Sequence, residues 1–442
     1  MLKEMINAGM DAARINTSHG TLEEYEQKIK RIRKIANIPI HMDTAGPQIR
    51  LVSKKSILLK KEQSIEVGFD SSKELYFSRN FFEAVKPGAH ILLSDGLAEA
   101  VVTKKDPVKK TLKLKTMNEI TLKGNMHSNI PSVYLDIPIL CSRDQKVLDL
   151  AKRLDVDFIN LSFTRRKQDI LTVKRALAGS NVSIIAKIEN QEGVEKFDEI
   201  LNEADGIMVA RGDLGLEIAS ERVPVIQKMI VKKCNQAGKP AIIATQMLAS
   251  MVSNKLPTRA ETSDVANAIL DGADCVMLSN ETAVGKYPVL AIKEMKRIAK
   301  HTEPFVKESV SEDELEGIPE IVSKSIYSIS KKLPVKKIVA ITASGFTARI
   351  ISRFKPKQEI IAVTDRPDIE RKLKISFGVK PIFIKEITER KKISRVAKWL
   401  YKKGMLNSND LVIFSAGIYQ GKEPTSNTIQ IHRVKDLVRH TK

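Results

Sequence analysis

Apolar and polar positions follow two alternating spacings along this chain. In residues 132–306, short runs that are apolar almost throughout, "DFINLSF", "SIIAKIE", "GIMVARGD", "PAIIATQM" and "CVMLSNE", are separated by longer stretches of amphipathic, helix-like pattern. Such runs predict strands covered on both faces, and the stretches between them predict the covering helices. Upstream, "DAARINTS" and "IPIHMD" extend the series, with the helical "TLEEYEQKIKRIRKIAN" between them. Strands joined by helices are parallel, so the expected fold class is α/β, and a succession this long predicts a TIM-type (β/α)8 barrel. Helix punctuation agrees. Thr258 stands three residues before Glu261, a capping-box spacing, and Gly238 and Gly272 mark helix ends.

The alternation breaks between residues 46 and 131. There "SILLKKEQSIEVGF", "AHILLSDGLAEAVVT" and "KKTLKLKTMNEITL" are strand-like and are separated by turn residues such as Pro87, Gly88, Asp95 and Gly96. An inserted β-barrel lid domain is expected over 46–131, between barrel segments 1–45 and 132–306. After the polar linker "KESVSEDELEGIPE", the runs "KKIVAITASGFTARIISRF", "EIIAVTD" and "DLVIFSAG" predict a separate C-terminal α/β domain over 307–442.

Composition narrows the classes. At 442 residues and 42% apolar content there is ample material for several packed cores. No apolar stretch approaches the roughly 20 residues a membrane span requires, and "MLKEMINAGM" lacks a signal-peptide pattern, so a cytoplasmic protein with no membrane partner is expected. The net charge of +21 is spread through "KRIRKIAN", "KKSILLKKE", "KKDPVKK" and "ERKKISRVAKWLYKK" among acidic neighbours. No aromatic-interleaved basic motif accompanies it, and no nucleic-acid partner is expected. Cys141, Cys234 and Cys275 are far apart and form no pair with metal-ligand spacing, which argues against a disulfide framework or structural zinc.

One strand does not read as ordinary core. "SIIAKIENQEG" runs from buried Ile184, Ile185 and Ala186 directly into Lys187 and Glu189, which share a strand face. A lone Lys-x-Glu is most simply a structural ion pair. In a parallel barrel, however, reactive groups collect at the C-terminal ends of strands. Those ends here carry Arg14, Asn16 and Ser18, then Asp43 and Thr44, Lys187 and Glu189, Arg211 and Asp213, Thr245, and finally Ser279 and Glu281. Convergence of so many polar ends suits phosphoryl transfer. Glu189 and Asp213 are the type and number of carboxylates by which a protein typically holds Mg2+. Lys187 and Arg14 supply positive charge for a phosphoryl group. In "ARGDLG", Gly212 permits close backbone approach, although taken alone that segment reads more simply as a loop turn.

The segments "ARINTSHG", "MDTAGPQIR", "IIAKIENQEG", "IMVARGDLGLEI", "IIATQMLASM", "PTRAETSDVANAILDGADCVMLSNETAVGKYP" and "SGFTARIISRFKP" resemble, in order, the signatures of the pyruvate kinase family. The resemblance covers nearly the whole chain. It implies the barrel, the lid and the C-terminal domain, and a reaction of phosphoenolpyruvate with ADP giving pyruvate and ATP. It implies Glu189 and Asp213 as ligands of Mg2+ or Mn2+, Lys187 and Arg14 on the transferring phosphoryl group, and Thr245 with the Gly212 and Asp213 amides around the substrate carboxylate and enolate. Asn16, Ser18, Asp43 and Thr44 match a K+ site, Asn16, Arg50 and Asp95 the nucleotide side. A water held by Thr245 and Ser279 is the expected proton source for the enolate, with His19 orienting its loop. A homotetramer is implied, as is a phosphorylated allosteric effector at Ser344, Gly345 and Thr347, where an ordinary strand-to-helix turn is the alternative.

Four departures qualify the match. Ala45 and Gln48 stand where the family usually has Lys and Glu, and Gln48 is not the Lys of potassium-independent members; oxygen ligands nonetheless favour potassium activation. Met126 stands where a lysine near the nucleotide phosphates is expected. Asn280 replaces a Gly, which a turn with a left-handed residue would tolerate. The family's opening strand has no counterpart, since "MLKEMINAGM" matches the helix that follows it. The sequence therefore leads to the expectation of a shortened reading frame, with an open edge between "CVMLSNE" and "DAARIN". Two alternatives remain at this level, a metal-dependent lyase acting on phosphoenolpyruvate or pyruvate, and a catalytically impaired truncated homologue.

Overall fold

The structure is a computed structural model that describes residues 1–442 except 95, 132, 135, 308–314, 316, 386–392, 418–425 and 439–442. In chain order, β1 (Ala13–Ile15) and β2 (Ile40–Asp43) precede the lid strands β3 (Ile49–Leu59), β4 (Ser64–Val67), β5 (Leu75–Phe77), β6 (His90–Leu93), β7 (Ala98–Asp106), β8 (Thr111–Thr116) and β9 (Ile120–Asn129). Next come β10 (Phe158–Leu161), β11 (Ser183–Ile188), β12 (Gly206–Ala210), β13 (Ala241–Ala244) and β14 (Cys275–Met277), then β15 (Val335–Ile341), β16 (Glu359–Thr364), β17 (Val379–Phe383), β18 (Leu411–Ala416) and β19 (Thr428–Arg433).

The barrel sheet has seven strands in the order β1-β2-β10-β11-β12-β13-β14, every neighbouring pair parallel. Among the described residues no ladder joins β14 to β1. At that edge the helix Leu2–Ala8 packs on the helix Pro288–Thr302, and the Lys296 side chain lies against Gly9. The helices form where the punctuation places them. Thr258 caps Arg259–Leu270 in a complete capping box, Val223–Gln236 is followed by Gly238 at φ 62°, and Gly272 at φ 94° closes the turn after Leu270.

Alternation within each barrel strand divides its residues between two environments. Ile184, Ala186 and Ile188 of β11 pack with Ile159, Leu161 and the surrounding helices. Ile185 points the other way, into a layer with Phe158, Met208, Ile242 and Ala244. That interior layer is apolar at its base and polar one step higher, so Lys187 continues the interior face of an otherwise apolar strand. Burial at the base is completed by Ile375 of the C-terminal domain, which packs into the same layer.

The lid is a seven-stranded antiparallel sheet, β4-β8-β7-β6-β9-β3-β5, closed over its own core, in which Phe69, Phe77, Phe81 and Phe82 pack edge to face. The C-terminal sheet, β17-β16-β15-β18-β19, is parallel apart from the antiparallel β19. Its domain docks on the N-terminal ends of the barrel strands through charge. Asp157 and Asp274 receive the first amides of neighbouring strands, from Ile40 at 2.8 Å and Ala241 at 3.0 Å. They also pair with Arg371 at 2.6 Å and Lys355 at 2.8 Å from the C-terminal domain.

Candidate active site

Lys187 is the centre of the polar layer. Its ammonium lies 2.7 Å from Glu189 Oε1 and 3.4 Å from Asp43 Oδ2, and it donates to Ser162 Oγ at 3.0 Å. Arg14, on the far side of Asp43, grips that carboxylate through Nε at 3.0 Å and Nη2 at 2.6 Å. Asn160 Nδ2 donates to Asp43 as well, at 2.8 Å. Burial opposes ionisation of Asp43, but the charges of Arg14 and Lys187 outweigh it and hold the carboxyl well below its ordinary range. Burial likewise works against charge on Arg14 and Lys187, and the surrounding carboxylates raise both. Two cations are thus held charged around an ionised Asp43 in a site almost closed to water.

Glu189 behaves differently. Its Oε2 accepts the Phe163 amide at 2.7 Å, while Oε1 has the Lys187 ammonium and no hydrogen bond among the described residues. Burial, resisted by Lys187 and reinforced by the charge of Asp213, raises its carboxyl above the ordinary range. Two carboxylates that oppose one another's ionisation, one with an oxygen lacking a hydrogen bond, form a donor set that fits a hard divalent cation.

Thr245, just beyond β13, has φ 70°, and its neighbour Gln246 has φ 54°. A positive φ is rare for a β-branched residue, and such strain collects at functional sites. Phe163, whose amide meets Glu189, has φ 55°. Thr245 Oγ1 accepts from the Gly212 amide at 2.8 Å and donates to Ala244 O at 2.6 Å. "RGDLG" is not a loop turn. Arg211 begins the helix Arg211–Glu217, whose first turn contains Gly212 and Asp213. Ser279 Oγ is buried with no hydrogen-bond partner among the described residues. Asn280 starts the short helix Asn280–Ala283 and has no positive φ, so no left-handed residue is needed there.

The other expected residues are placed less centrally. Asn16 is exposed, and its side chain accepts the Ser18 amide at 3.0 Å. Thr44 is buried with Oγ1 accepting the Ser162 amide at 3.0 Å. Asp43 is occupied as above. Arg50 donates to Gln48 Oε1 at 2.8 Å, so the unexpected glutamine orients the expected arginine. Asp95 lies outside the described residues. Met126 is buried in the lid core, and alternation along β9 turns His127 and Asn129 toward a cleft between lid and barrel that Gln48, Phe163 and Glu217 also line. Asn129 Nδ2 donates to Glu217 Oε1 at 2.7 Å, tying the lid to the barrel. In the C-terminal domain, Gly345 has φ 80° at the start of the helix Phe346–Ser352, Ser344 O accepts from Arg349, and Thr347 is buried.

Several contributors went unnoticed in the sequence. Asn160, Ser162 and Phe163 belong to "DFINLSF", whose pattern predicts a strand and no more, although Asn160 and Ser162, polar at alternate positions, are a usable signal. Thr17 donates to Asp43 O, and Tyr25 donates to the Thr17 carbonyl at 3.0 Å. Arg211, one of the expected polar strand ends, holds Asp264 with two 2.7 Å contacts and reaches Thr245 O at 2.9 Å, bracing the strained turn. Glu281, also among the expected strand ends, accepts the Leu248 amide at 3.1 Å and the Ser279 amide at 2.7 Å.

Fold and site together define a lidded barrel enzyme whose mouth gathers an ammonium, a guanidinium and a carboxylate pair. The family model described as pyruvate kinase, barrel domain, matches residues 1–292, and that described as pyruvate kinase, alpha/beta domain, matches 320–432. The pyruvate kinase of Sporosarcina psychrophila is 41% identical over 459 aligned residues, covering 99% of this chain and 78% of the relative. That of Staphylococcus aureus strain MRSA252 is 40% identical with the same coverage. The crystal structure of a pyruvate kinase from Cryptosporidium parvum superposes with a TM-score of 0.91 at 35% identity, covering 98% of this chain and 92% of that one. The chain belongs to the pyruvate kinase family.

Proposed function

We propose that this chain transfers the phosphoryl group of phosphoenolpyruvate to ADP, giving pyruvate and ATP. The observation that carries the reading is the interior-facing cluster in which Lys187 meets Glu189 and Asp43, with Arg14 braced beside it. The bond between phosphorus and the enol oxygen breaks, a terminal β-phosphate oxygen of ADP bonds to phosphorus, and the enolate takes a proton on its terminal carbon. Arg14 and Lys187 bind the phosphoryl oxygens and offset charge that spreads over them during transfer. Near Thr245, whose Oγ1 already accepts the Gly212 amide at 2.8 Å, the Asp213 amide at the start of Arg211–Glu217 orients the substrate carboxylate. Ser279 Oγ and Thr245 hold the water that protonates the enolate. Glu189 and Asp213 are the residues to hold Mg2+ or Mn2+, which when bound adds positive charge beside the phosphoryl group.

The nucleotide side is assigned to Arg50, oriented by Gln48, with Asn16 and Asp95. Potassium at Asn16, Ser18, Asp43 and Thr44, a homotetramer, a phosphorylated effector at Ser344–Thr347 and a cytoplasmic location complete the proposal. No helix among the described residues is long and apolar enough to cross a membrane.

Pyruvate formation from phosphoenolpyruvate, coupled to NADH oxidation by lactate dehydrogenase, tests the reading. Turnover that requires both ADP and a divalent cation supports it. Consumption of phosphoenolpyruvate without ATP formation would indicate the lyase, and no reaction at all the impaired homologue.

A further inference from the structure

His41 lies on β2 two residues before Asp43, so the two side chains share the interior face. Its ring is fully packed, stacked on Phe158 with centroids 4.4 Å apart and planes at 20°. Nδ1 is 3.0 Å from Asn160 Oδ1, and Asn160 Nδ2 donates to Asp43 Oδ1 at 2.8 Å. Asp43 in turn holds Arg14 at 2.6 Å and Lys187 at 3.4 Å. The direction of this chain of contacts is determined. An amide turned the other way would set its oxygen against the Asp43 carboxylate, so its nitrogen faces Asp43 and its oxygen faces His41, which must then donate from Nδ1.

An apolar side chain would stack on Phe158 equally well, in a layer otherwise made of Ile185, Met208, Ile242 and Ile375. Burying an imidazole there is unfavourable unless its hydrogen bond is used. We propose that His41 is a positioning residue for phosphoryl transfer: through Asn160 it holds the Asp43 carboxylate at the angle that aims Arg14 and Lys187 at the phosphoryl group. The inference rests on the roles given above to Arg14 and Lys187.

Three substitutions test it in the full chain. His41→Leu removes the donor, His41→Gln moves it one methylene away, and His41→Asn places an amide nitrogen where Nδ1 stands. The Leu and Gln variants are expected to lose about ten- to a hundredfold in kcat, the usual effect of deleting an outer partner. Their KM for ADP should stay within about twofold, because no nucleotide contact is removed. His41→Asn should recover at least about fivefold of the lost kcat at a matched melting temperature, which a packing role would not predict. Asn160→Ala cuts the same chain without enlarging any side chain and carries the same expectation should the Leu and Gln variants fail to fold. Native turnover combined with near-native kcat in the Leu, Gln or Asn160→Ala variant overturns the inference alone, as does an Asn variant as slow as Leu. A native protein without ADP-dependent turnover overturns the reading of the site and the inference with it.

Discussion

Replacing Lys187 by Met keeps an unbranched apolar stem out to Cε, with sulfur in place of Cδ, and removes the ammonium. Three contacts disappear, to Glu189 at 2.7 Å, Ser162 at 3.0 Å and Asp43 at 3.4 Å. Breaking a buried ion pair by deleting one partner destabilises a protein by about 3–5 kcal/mol. Two features here reduce that. Arg14 remains on Asp43 through three contacts of 3.0, 3.0 and 2.6 Å. Glu189, already raised by burial, can take up a proton once the ammonium is gone. A stability loss of about 1–3 kcal/mol is therefore expected. The catalytic effect is larger. A charged contact to a phosphoryl group in a desolvated site is worth about 3–6 kcal/mol in the transition state, or roughly a hundred- to ten-thousandfold in turnover. With native stability of about 5–15 kcal/mol, the variant stays folded at 25 °C, so unfolding does not account for such a drop. The coupled assay gives turnover, thermal unfolding gives stability, and calorimetric titration with Mn2+ shows whether the cation still binds. Turnover within about tenfold of native, or a loss that follows the folded fraction as temperature changes, would refute the role given to Lys187.

Glu189→Gln should weaken Mn2+ binding by at least about tenfold while Lys187 stays in place, and unchanged affinity removes Glu189 from the ligand set. Burial raises the Glu217 carboxyl above its ordinary 4.5, only partly offset by the Asn129 hydrogen bond. The folded state therefore favours the neutral acid: that stabilisation is complete below the unfolded value and is lost as pH rises through the folded one. Glu217→Gln keeps an acceptor for Asn129 and removes the charge, so it should raise the melting temperature more at pH 8 than at pH 4; an equal gain at both counts against the assignment. Potassium should accelerate turnover relative to tetramethylammonium at equal ionic strength, because Thr44 and Ser18 bring neutral oxygens and Gln48 brings no replacing charge. Equal rates in the two salts would exclude the potassium site.

Much of this architecture was legible from local pattern. Period-two and period-3.6 spacings are properties of short segments, so the strands, the helices, the lid insertion and the face shared by Lys187 and Glu189 followed from residues close together in the chain. Chain punctuation worked for the same reason, since the Thr258 capping box and the glycines at 238 and 272 act within one helical turn. Ordered segments such as "MDTAGPQIR" and "IMVARGDLGLEI" pointed to the family.

Other features required the fold. Lys187 lies against Asp43, 144 residues away, only because β2, β10 and β11 are neighbours in the sheet. No local spacing announces that Asn160 and Ser162 complete the site, or that Arg211 pairs with Asp264 and reaches the Thr245 carbonyl. The register of β9 against β3 sends Met126 into the lid core and His127 toward the cleft. His41 shows the difference most clearly. Its sequence context, "IPIHMD", marks a buried strand, and a buried histidine there reads as core. Local alternation assigns its face, but the electrostatic meaning of that face is set by long-range strand pairing, which places the Asn160 amide between His41 and a carboxylate already claimed by two cations.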